Sequence, residues 1–82
     1  MNTRTLCYHL NRLAGTLVND VPTLGEAGAA NVYAGTTGLE VVGALNAAAG
    51  NALPNYRELP GVLNQLAGTS GLGVDEAASQ IV

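Results

Sequence analysis

The residues of this chain with the strongest intrinsic chemistry are its single cysteine and single histidine, Cys7 and His9. A thiol becomes a nucleophile when a neighbouring base takes its proton, and histidine is the usual base. On a helix, however, side chains at positions i and i+2 point to different faces. We therefore predict that Cys7 is a small buried hydrophobic residue and that the two side chains do not form a catalytic pair.

The acidic residues are dispersed along the chain, at Asp20, Glu26, Glu40, Glu58, Asp75 and Glu76. Acid–base catalysis and metal binding both need several such groups at one place. Most of the six lie where a helix is predicted to begin, and a carboxylate there complements the free N–H groups of the first turn. The adjacent pair Asp75 and Glu76 diverges on a helix. We predict no enzymatic activity, no metal site and no cofactor.

Two related segments, "GTTGLEV" at 35–41 and "GTSGLGV" at 68–74, resemble phosphate-binding turns in their glycine content. Neither has the lysine and the full glycine spacing of a P-loop, so we predict no nucleotide site. The chain also has three arginines, no lysine and a net charge of −3. Binding to nucleic acid needs a basic surface that this composition does not supply, which also disfavours a helix-turn-helix regulator.

No apolar run approaches the roughly 18 residues that a membrane span requires. The N-terminal residues have no uninterrupted apolar core of a secretory signal and no small-residue cleavage site. We therefore expect a protein that stays in the cytoplasm or leaves it inside an assembly. A chain of 82 residues buries only about 60% of its unfolded surface, so oligomerisation is expected to add stability.

The pattern Asn-x-x-Ala-Gly occurs four times, with its asparagines at 11, 31, 46 and 64 and its glycines at 15, 35, 50 and 68. Each glycine follows an apolar segment and precedes Thr or Asn, which is typical of a helix that ends on a left-handed glycine. Thr37, Thr23 and Asn55 each precede a glutamate by three residues, which predicts capping boxes, and Ser70 is a further predicted cap.

The sequence thus predicts an all-α fold in a single domain, 1–82, with no strand. About five short capped helices, joined by Gly-Thr turns into a compact repeat-like bundle, are expected near 3–14, 24–34, 38–49, 56–67 and 72–81. Pro60 would move the start of the fourth helix to about Leu59, because proline is excluded beyond the first turn. Gly28, Gly43 and Gly61 lie inside predicted helices, where they are expected to permit close packing by a neighbouring backbone or side chain.

The repeated asparagines, Asn11, Asn31, Asn46 and Asn64, have two interpretations. In the first they are structural and bond the backbone of an adjacent turn, because a buried amide must be satisfied. In the second they form a row of amides that binds a ligand, although no other residue type converges on it. The three tyrosines, Tyr8, Tyr33 and Tyr56, are candidate anchors for contact with another protein, since tyrosine is enriched at binding hot spots.

At "AGTTGLEVVGALNAAAGN", "YRELPGVLNQLAGTSGLG" and "DEAAS" the chain resembles small virion proteins and C-terminal modules of tailed bacteriophages of actinobacteria, in which Asn-x-x-Ala-Gly-Thr-Thr-Gly-Leu units recur. The resemblance covers most of residues 10–80. It implies a non-enzymatic minor tail protein or accessory head protein, without a cofactor, that is assembled into the virion in the host cytoplasm. It also implies partners among the other phage structural proteins, and the chain itself as a homo-oligomer.

The first 22 residues match the repeat least, so we expect the N-terminal helix to be a specialised docking element, with the repeat region at 23–82. Two alternatives stay open. One is a capsid decoration or cement protein, and the other is a small intracellular phage module that binds or regulates another protein.

Overall fold

The computed structural model describes residues 4–82 as five short α-helices and one small antiparallel hairpin. The elements are α1 Leu6–Ala14, β1 Leu17–Val18, β2 Val21–Pro22, α2 Glu26–Ala34, α3 Val41–Ala49, α4 Leu59–Ala67 and α5 Val74–Ser79. The protein is therefore compact and mostly helical, as predicted. The predicted start of the first helix, at residue 3, lies outside the described residues.

Each of the first four helices ends at one of the repeated glycines. Gly15, Gly35, Gly50 and Gly68 have φ values of 76°, 72°, 76° and 71°. The residue after each glycine donates its N–H to the carbonyl oxygen of the repeated asparagine, over 2.9–3.0 Å. This is the Schellman arrangement, in which a left-handed residue lets the chain satisfy the last carbonyls of the helix. The position of these four helix ends therefore follows from local sequence.

The predicted capping boxes are wrong, because α2, α3 and α4 begin two or three residues later than expected. Their N-cap positions are Gly25, Glu40 and Glu58, and none of them makes a side-chain cap bond. α5 likewise begins after Gly73, without a cap bond from Ser70. The residue before each of these caps is hydrogen-bonded through its N–H and its carbonyl oxygen to a repeated asparagine of the preceding helix, and each helix begins two residues after it. The start of α4 at Leu59, with Pro60 in its first turn, agrees with the proline argument.

The expectation that the chain has no strand is also wrong. β1 and β2 pair in antiparallel register, Leu17 with Pro22 and Val18 with Val21. The loop between them is Asn19–Asp20, and both residues have positive φ, 49° and 64°. Positive φ at both central positions is the mark of a type I′ turn, whose twist matches that of the strands it joins. Strands of two residues are too short for the alternation of polar and apolar residues to show in the sequence.

The helices pack in chain order, and α5 returns to pack against α1. The core consists of a few aliphatic side chains surrounded by alanines: Leu6, Leu10, Leu45, Val62, Leu63, Ile81, Ala29, Ala30, Ala44, Ala77 and Ala78. The molecule extends 39 × 30 × 16 Å. Its shortest dimension is about half of the next one, so the fold is flattened. No helix within residues 4–82 is long and apolar enough to cross a membrane.

Close approach at the helical glycines occurs at one of the three predicted positions. A Cβ atom on Gly43 would lie 3.0 Å from the Tyr56 hydroxyl oxygen, which therefore rests on the bare backbone. At Gly28 and Gly61 the nearest atoms belong to the preceding turn, at ordinary distances of 3.7 and 3.6 Å. The prediction is thus wrong for Gly28 and Gly61, where no other segment needs the absence of a side chain.

Candidate functional site

The four repeated asparagines form the most extensive set of polar interactions in the described chain. Asn31 illustrates the arrangement. Its Nδ2 donates to the carbonyl oxygens of Ala27, at 2.7 Å, and Leu39, at 2.8 Å. Its Oδ1 accepts the N–H of Leu39, at 3.2 Å, and the hydroxyl of Thr36, at 2.8 Å. The side chain thus joins its own helix to both backbone polar groups of the residue just before the N-cap of the next helix. We call this arrangement a clasp.

Asn11, Asn46 and Asn64 form clasps with the same geometry. Their Nδ2 atoms donate to the carbonyl oxygens of Leu24, Arg57 and Leu72 at 2.8–2.9 Å. Their Oδ1 atoms accept the N–H groups of those same three residues at 2.9–3.1 Å. Each Nδ2 also donates to the carbonyl four residues earlier. The residue five positions after the asparagine completes the clasp through its side chain, as Thr16, Asn51 and Thr69 do.

The clasps leave the asparagine amides without spare hydrogen-bonding capacity. A primary amide offers two N–H donors and one oxygen with two lone pairs, and each clasp uses both donors and at least two bonds to the oxygen. All four asparagines are buried, with Asn11 and Asn46 fully so. A ligand could reach these amides only by opening the joints between helices. The geometry therefore favours the structural interpretation of the repeated asparagine over the ligand-binding one.

The Gly-Thr-Thr-Gly and Gly-Thr-Ser-Gly turns belong to the clasps. Thr36 and Thr69 donate their hydroxyl protons to the clasp asparagines, and Gly38 and Gly71 take left-handed φ values of 72° and 76°. An open groove of about 660 Å³ lies beside the second turn. Its lining is mixed: Arg57, Pro60, Gly61, Asn64, Gln65, Thr69, Ser70, Gly71 and Leu72.

Cys7 and His9 have different hydrogen-bond partners. The half-buried Cys7 thiol lies 3.5 Å from the carbonyl oxygen of Leu24, which it can donate to. His9 is buried, and its Nδ1 accepts the Nε–H of Arg12 at 3.2 Å. Burial, with a further effect of the Arg12 charge, lowers the pKa of His9 below its ordinary value. The base that could activate the thiol is therefore occupied by an arginine.

The acidic side chains take separate structural positions. Asp20 accepts the Tyr8 hydroxyl proton at 2.6 Å and forms an exposed ion pair with Arg4 at 3.0 Å. The hydrogen bond from Tyr8 lowers the pKa of Asp20, and the same bond raises the pKa of Tyr8. Asp75 accepts the backbone N–H of Leu6 at 2.9 Å, which ties α5 to the start of α1. Within residues 4–82 no three His, Cys, Asp or Glu side chains are grouped as a metal site.

The three candidate tyrosine anchors have different surroundings. The Tyr8 ring lies under the Arg4 guanidinium at 4.4 Å and meets His9 edge-on at 5.2 Å. Tyr33 is half-buried against the core. Tyr56 is 47% exposed, in the connection between α3 and α4. Of the three, Tyr56 has the surface that another protein could contact most directly.

Sequence reasoning missed three residues that matter in these joints. Thr16 and Thr69 occupy the same position, five residues after a repeated asparagine, and that regularity is visible in the sequence. Arg12 donates through Nη2 to the carbonyl oxygens of Ala78, at 3.2 Å, and Ile81, at 2.8 Å. No local signal predicts that contact, because its partners are 66 and 69 residues away.

Comparison of the chain with protein-family models, curated proteins and solved structures finds no match. A proposal for function therefore depends on the chain's own residues and on the repeat described above.

Proposed function

We propose that the protein is a non-enzymatic structural component of a bacteriophage virion, a minor tail or head-associated protein that binds other virion proteins. The observation that carries this proposal is the use of the polar repeat. The asparagines and threonines that recur along the chain are bonded internally, in joints between helices. A chain whose repeated polar residues hold its own helices together is suited to a structural role.

In this proposal the chain is a repeat-like bundle, and each unit consists of one helix followed by one clasp. Four such units occur at irregular spacings of 20, 15 and 18 residues between asparagines. The small, alanine-rich core supports assembly, because a domain of this size gains stability when neighbours cover more of its surface. In a symmetric particle, many copies each add weak contacts, and the avidity of the whole exceeds that of one contact.

The proposed partners are proteins, including further copies of this chain. Large apolar side chains are exposed on several elements: Val18, Val21, Val32, Leu39, Leu53, Tyr56 and Val82. Basic side chains, in contrast, are few and partly engaged. Arg4 pairs with Asp20, and Arg12 is bonded to two backbone carbonyls. This distribution supports binding to protein surfaces and gives no basic stripe for a phosphate backbone.

Mass spectrometry of purified virions from the source phage tests the proposal. We expect tens to hundreds of copies per particle, counted against the major capsid protein. Absence of the protein from washed particles would refute the structural role and favour the alternative of an intracellular interaction module. Loss from the particle surface under mild treatment, with the capsid intact, would favour the decoration or cement alternative.

A pair of neighbouring variants tests the contact surface. Tyr56→Ser removes the exposed ring, and Asn55→Ser changes an exposed neighbour whose side chain is not bonded within the described chain. We expect Tyr56→Ser to reduce incorporation into particles and Asn55→Ser to leave it unchanged, with both proteins equally folded by circular dichroism. Equal incorporation of the two variants would remove Tyr56 from the proposed contact surface.

A further inference from the structure

His9 holds a buried polar atom that the fold does not satisfy. The side chain is only 7% exposed, and within residues 4–82 its Nε2 is the one buried side-chain nitrogen or oxygen without a hydrogen-bond partner. The other ring nitrogen, Nδ1, accepts the Arg12 Nε–H. A neutral imidazole has one donor and one acceptor nitrogen, so this bond places the proton on Nε2. The site is thus built for an uncharged histidine.

Arg12 also holds the C-terminal segment, residues 77–81. Its Nη2 donates to the carbonyl oxygens of Ala78 and Ile81. This segment contributes Ala77, Ala78 and Ile81 to the core, all nearly inaccessible to solvent. The same guanidinium therefore contacts His9 through Nε and closes the last part of the fold through Nη2.

We propose that His9 and Arg12 form an acid-sensitive latch, which holds the segment 77–81 against α1 while His9 is neutral and releases it when His9 is protonated. A proton added at Nδ1 converts the acceptor of the Arg12 bond into a donor. The two groups then carry like charges at hydrogen-bonding distance, and the bond is lost. Arg12 then moves away from His9, and its hydrogen bonds to Ala78 and Ile81 break. The proposal is independent of the virion role.

The surroundings of His9 favour its neutral form in the closed state. Burial disfavours a positive imidazole most strongly, and the charges of Arg12 and Arg4 act in the same direction. Asp75 on α5 acts in the opposite direction, but its Oδ1 accepts the Leu6 N–H and so holds the start of α1. The rings of Tyr8 and His9 meet edge-on. The other acidic groups on elements packed against α1 are Glu76 in α5, Glu26 in α2 and Asp20 in the hairpin loop, which is bonded to Tyr8 and Arg4.

The pH window follows from the lowered pKa of His9 in the closed state. Once the latch is open, His9 meets water and regains its ordinary pKa of 6.5. Below that pH the open state binds a proton at His9 and the closed state does not, so acid favours opening. The closed state is fully favoured above pH 6.5. Opening rises about tenfold for each pH unit below it, until the pH reaches the lowered pKa of the closed state.

Amide hydrogen exchange, read residue by residue by NMR and corrected for the intrinsic effect of pH, tests the latch. The reporters are the N–H groups of Gln80 and Ile81, which bond to the carbonyls of Ala77 and Ala78. The internal control is the N–H of Ala44, bonded to Glu40 in α3. Between about pH 7.5 and pH 5.5 we expect the protection of Ile81 to fall about tenfold and that of Ala44 to hold. Equal changes at both amides would overturn the latch, because they would report global unfolding.

Two variants separate His9 from the neighbouring carboxylate. His9→Gln stays neutral at all these pH values, so Ile81 protection should become independent of pH. Asp75→Asn should keep the response of the unaltered protein. If His9→Gln retained the response, or Asp75→Asn abolished it, Asp75 would be the sensor and the proposal would be wrong. If His9→Gln does not fold, the unaltered protein decides: exchange at Ile81 must begin to rise near pH 6.5 and must level off at the pH where the same NMR titration shows the His9 imidazole to be protonated.

Discussion

Replacement of Asn46 by leucine removes one complete clasp with little change in side-chain size. Asn46 is fully buried, so no water replaces its amide. Three of its bonds reach outside α3: to the carbonyl oxygen of Arg57 at 2.8 Å, from the N–H of Arg57 at 2.9 Å and from the Asn51 side chain at 2.9 Å. A fourth, to the Val42 carbonyl at 2.8 Å, stays within the helix.

The expected cost comes from the three bonds between segments. An intramolecular hydrogen bond contributes about 0.5–1.5 kcal/mol net, and more if its partner is left buried and unpaired. The Val42 carbonyl lies within α3, so losing the bond from Asn46 to it adds little to the cost. Arg57 is exposed, so water can replace part of the hydrogen bonding that its backbone loses. We therefore expect Asn46→Leu to lower the free energy of unfolding by about 2–3 kcal/mol. That is a large share of the roughly 5–15 kcal/mol available to a small domain.

Urea denaturation followed by far-UV circular dichroism measures this loss as a lower transition midpoint with an unchanged slope. The matched control is Asn55→Leu, the same substitution at an exposed asparagine in the connection between α3 and α4. It should change the free energy of unfolding by no more than about 0.5 kcal/mol. Similar midpoints for Asn46→Leu and Asn55→Leu would refute the clasp as a source of stability.

Two further predictions concern a helix end and a surface pair. Gly35→Ala should destabilise by about 1–2 kcal/mol, because alanine resists the left-handed φ of 72°, whereas Gly28→Ala in the interior of α2 should stabilise by about 0.5–1 kcal/mol. Thermal unfolding measures the stability of both variants, and equal changes in stability would contradict the role of Gly35 as a left-handed helix end. Asp20→Asn should lower the pKa of Tyr8, which the charged acceptor raises, as measured by tyrosinate absorbance. Because the pKa of Asp20 is lowered in the folded state, its stabilising effect is complete above pH 3.8 and is lost as the pH falls through the lowered value. Tyr8→Phe should therefore weaken the acid dependence of stability, and an unchanged dependence would count against the Tyr8 bond as its cause.

The C-terminal ends of the first four helices could be predicted from the sequence because their causes are local. A glycine that needs a left-handed φ carries its signal in one residue, as at Gly35 and Gly68. The start of α4 was accessible for a similar reason, since Pro60 restricts the backbone wherever it occurs. The position of the asparagines in the pattern also indicated a role for them, although their partners could not be identified.

The helix starts could not be predicted correctly because a nearby asparagine competes with the cap. Thr23, a predicted cap, donates its backbone N–H to Asn11 and its hydroxyl proton to the carbonyl oxygen of Thr16. Close to the predicted cap Thr37, it is Leu39 that bonds to Asn31, and the helix begins only after it. The hairpin carried one usable signal, the adjacent Asn19 and Asp20, which tolerate positive φ. The contact between Arg12 and the C-terminal segment left no signal, because it depends on the closure of the whole fold.

The clasps join residues that are close in sequence, whereas the contact between Arg12 and the C-terminal segment joins residues that are far apart. Asn11, Asn31, Asn46 and Asn64 bond to residues only 13, 8, 11 and 8 positions later in the chain. Contacts this local cost little loop entropy, and proteins rich in them fold rapidly. Arg12, in contrast, meets Ile81 across 69 residues. The order of folding we expect is therefore four joints that form early and independently, followed by the docking of the segment 77–81, which makes that segment the last part to gain protection from exchange during refolding.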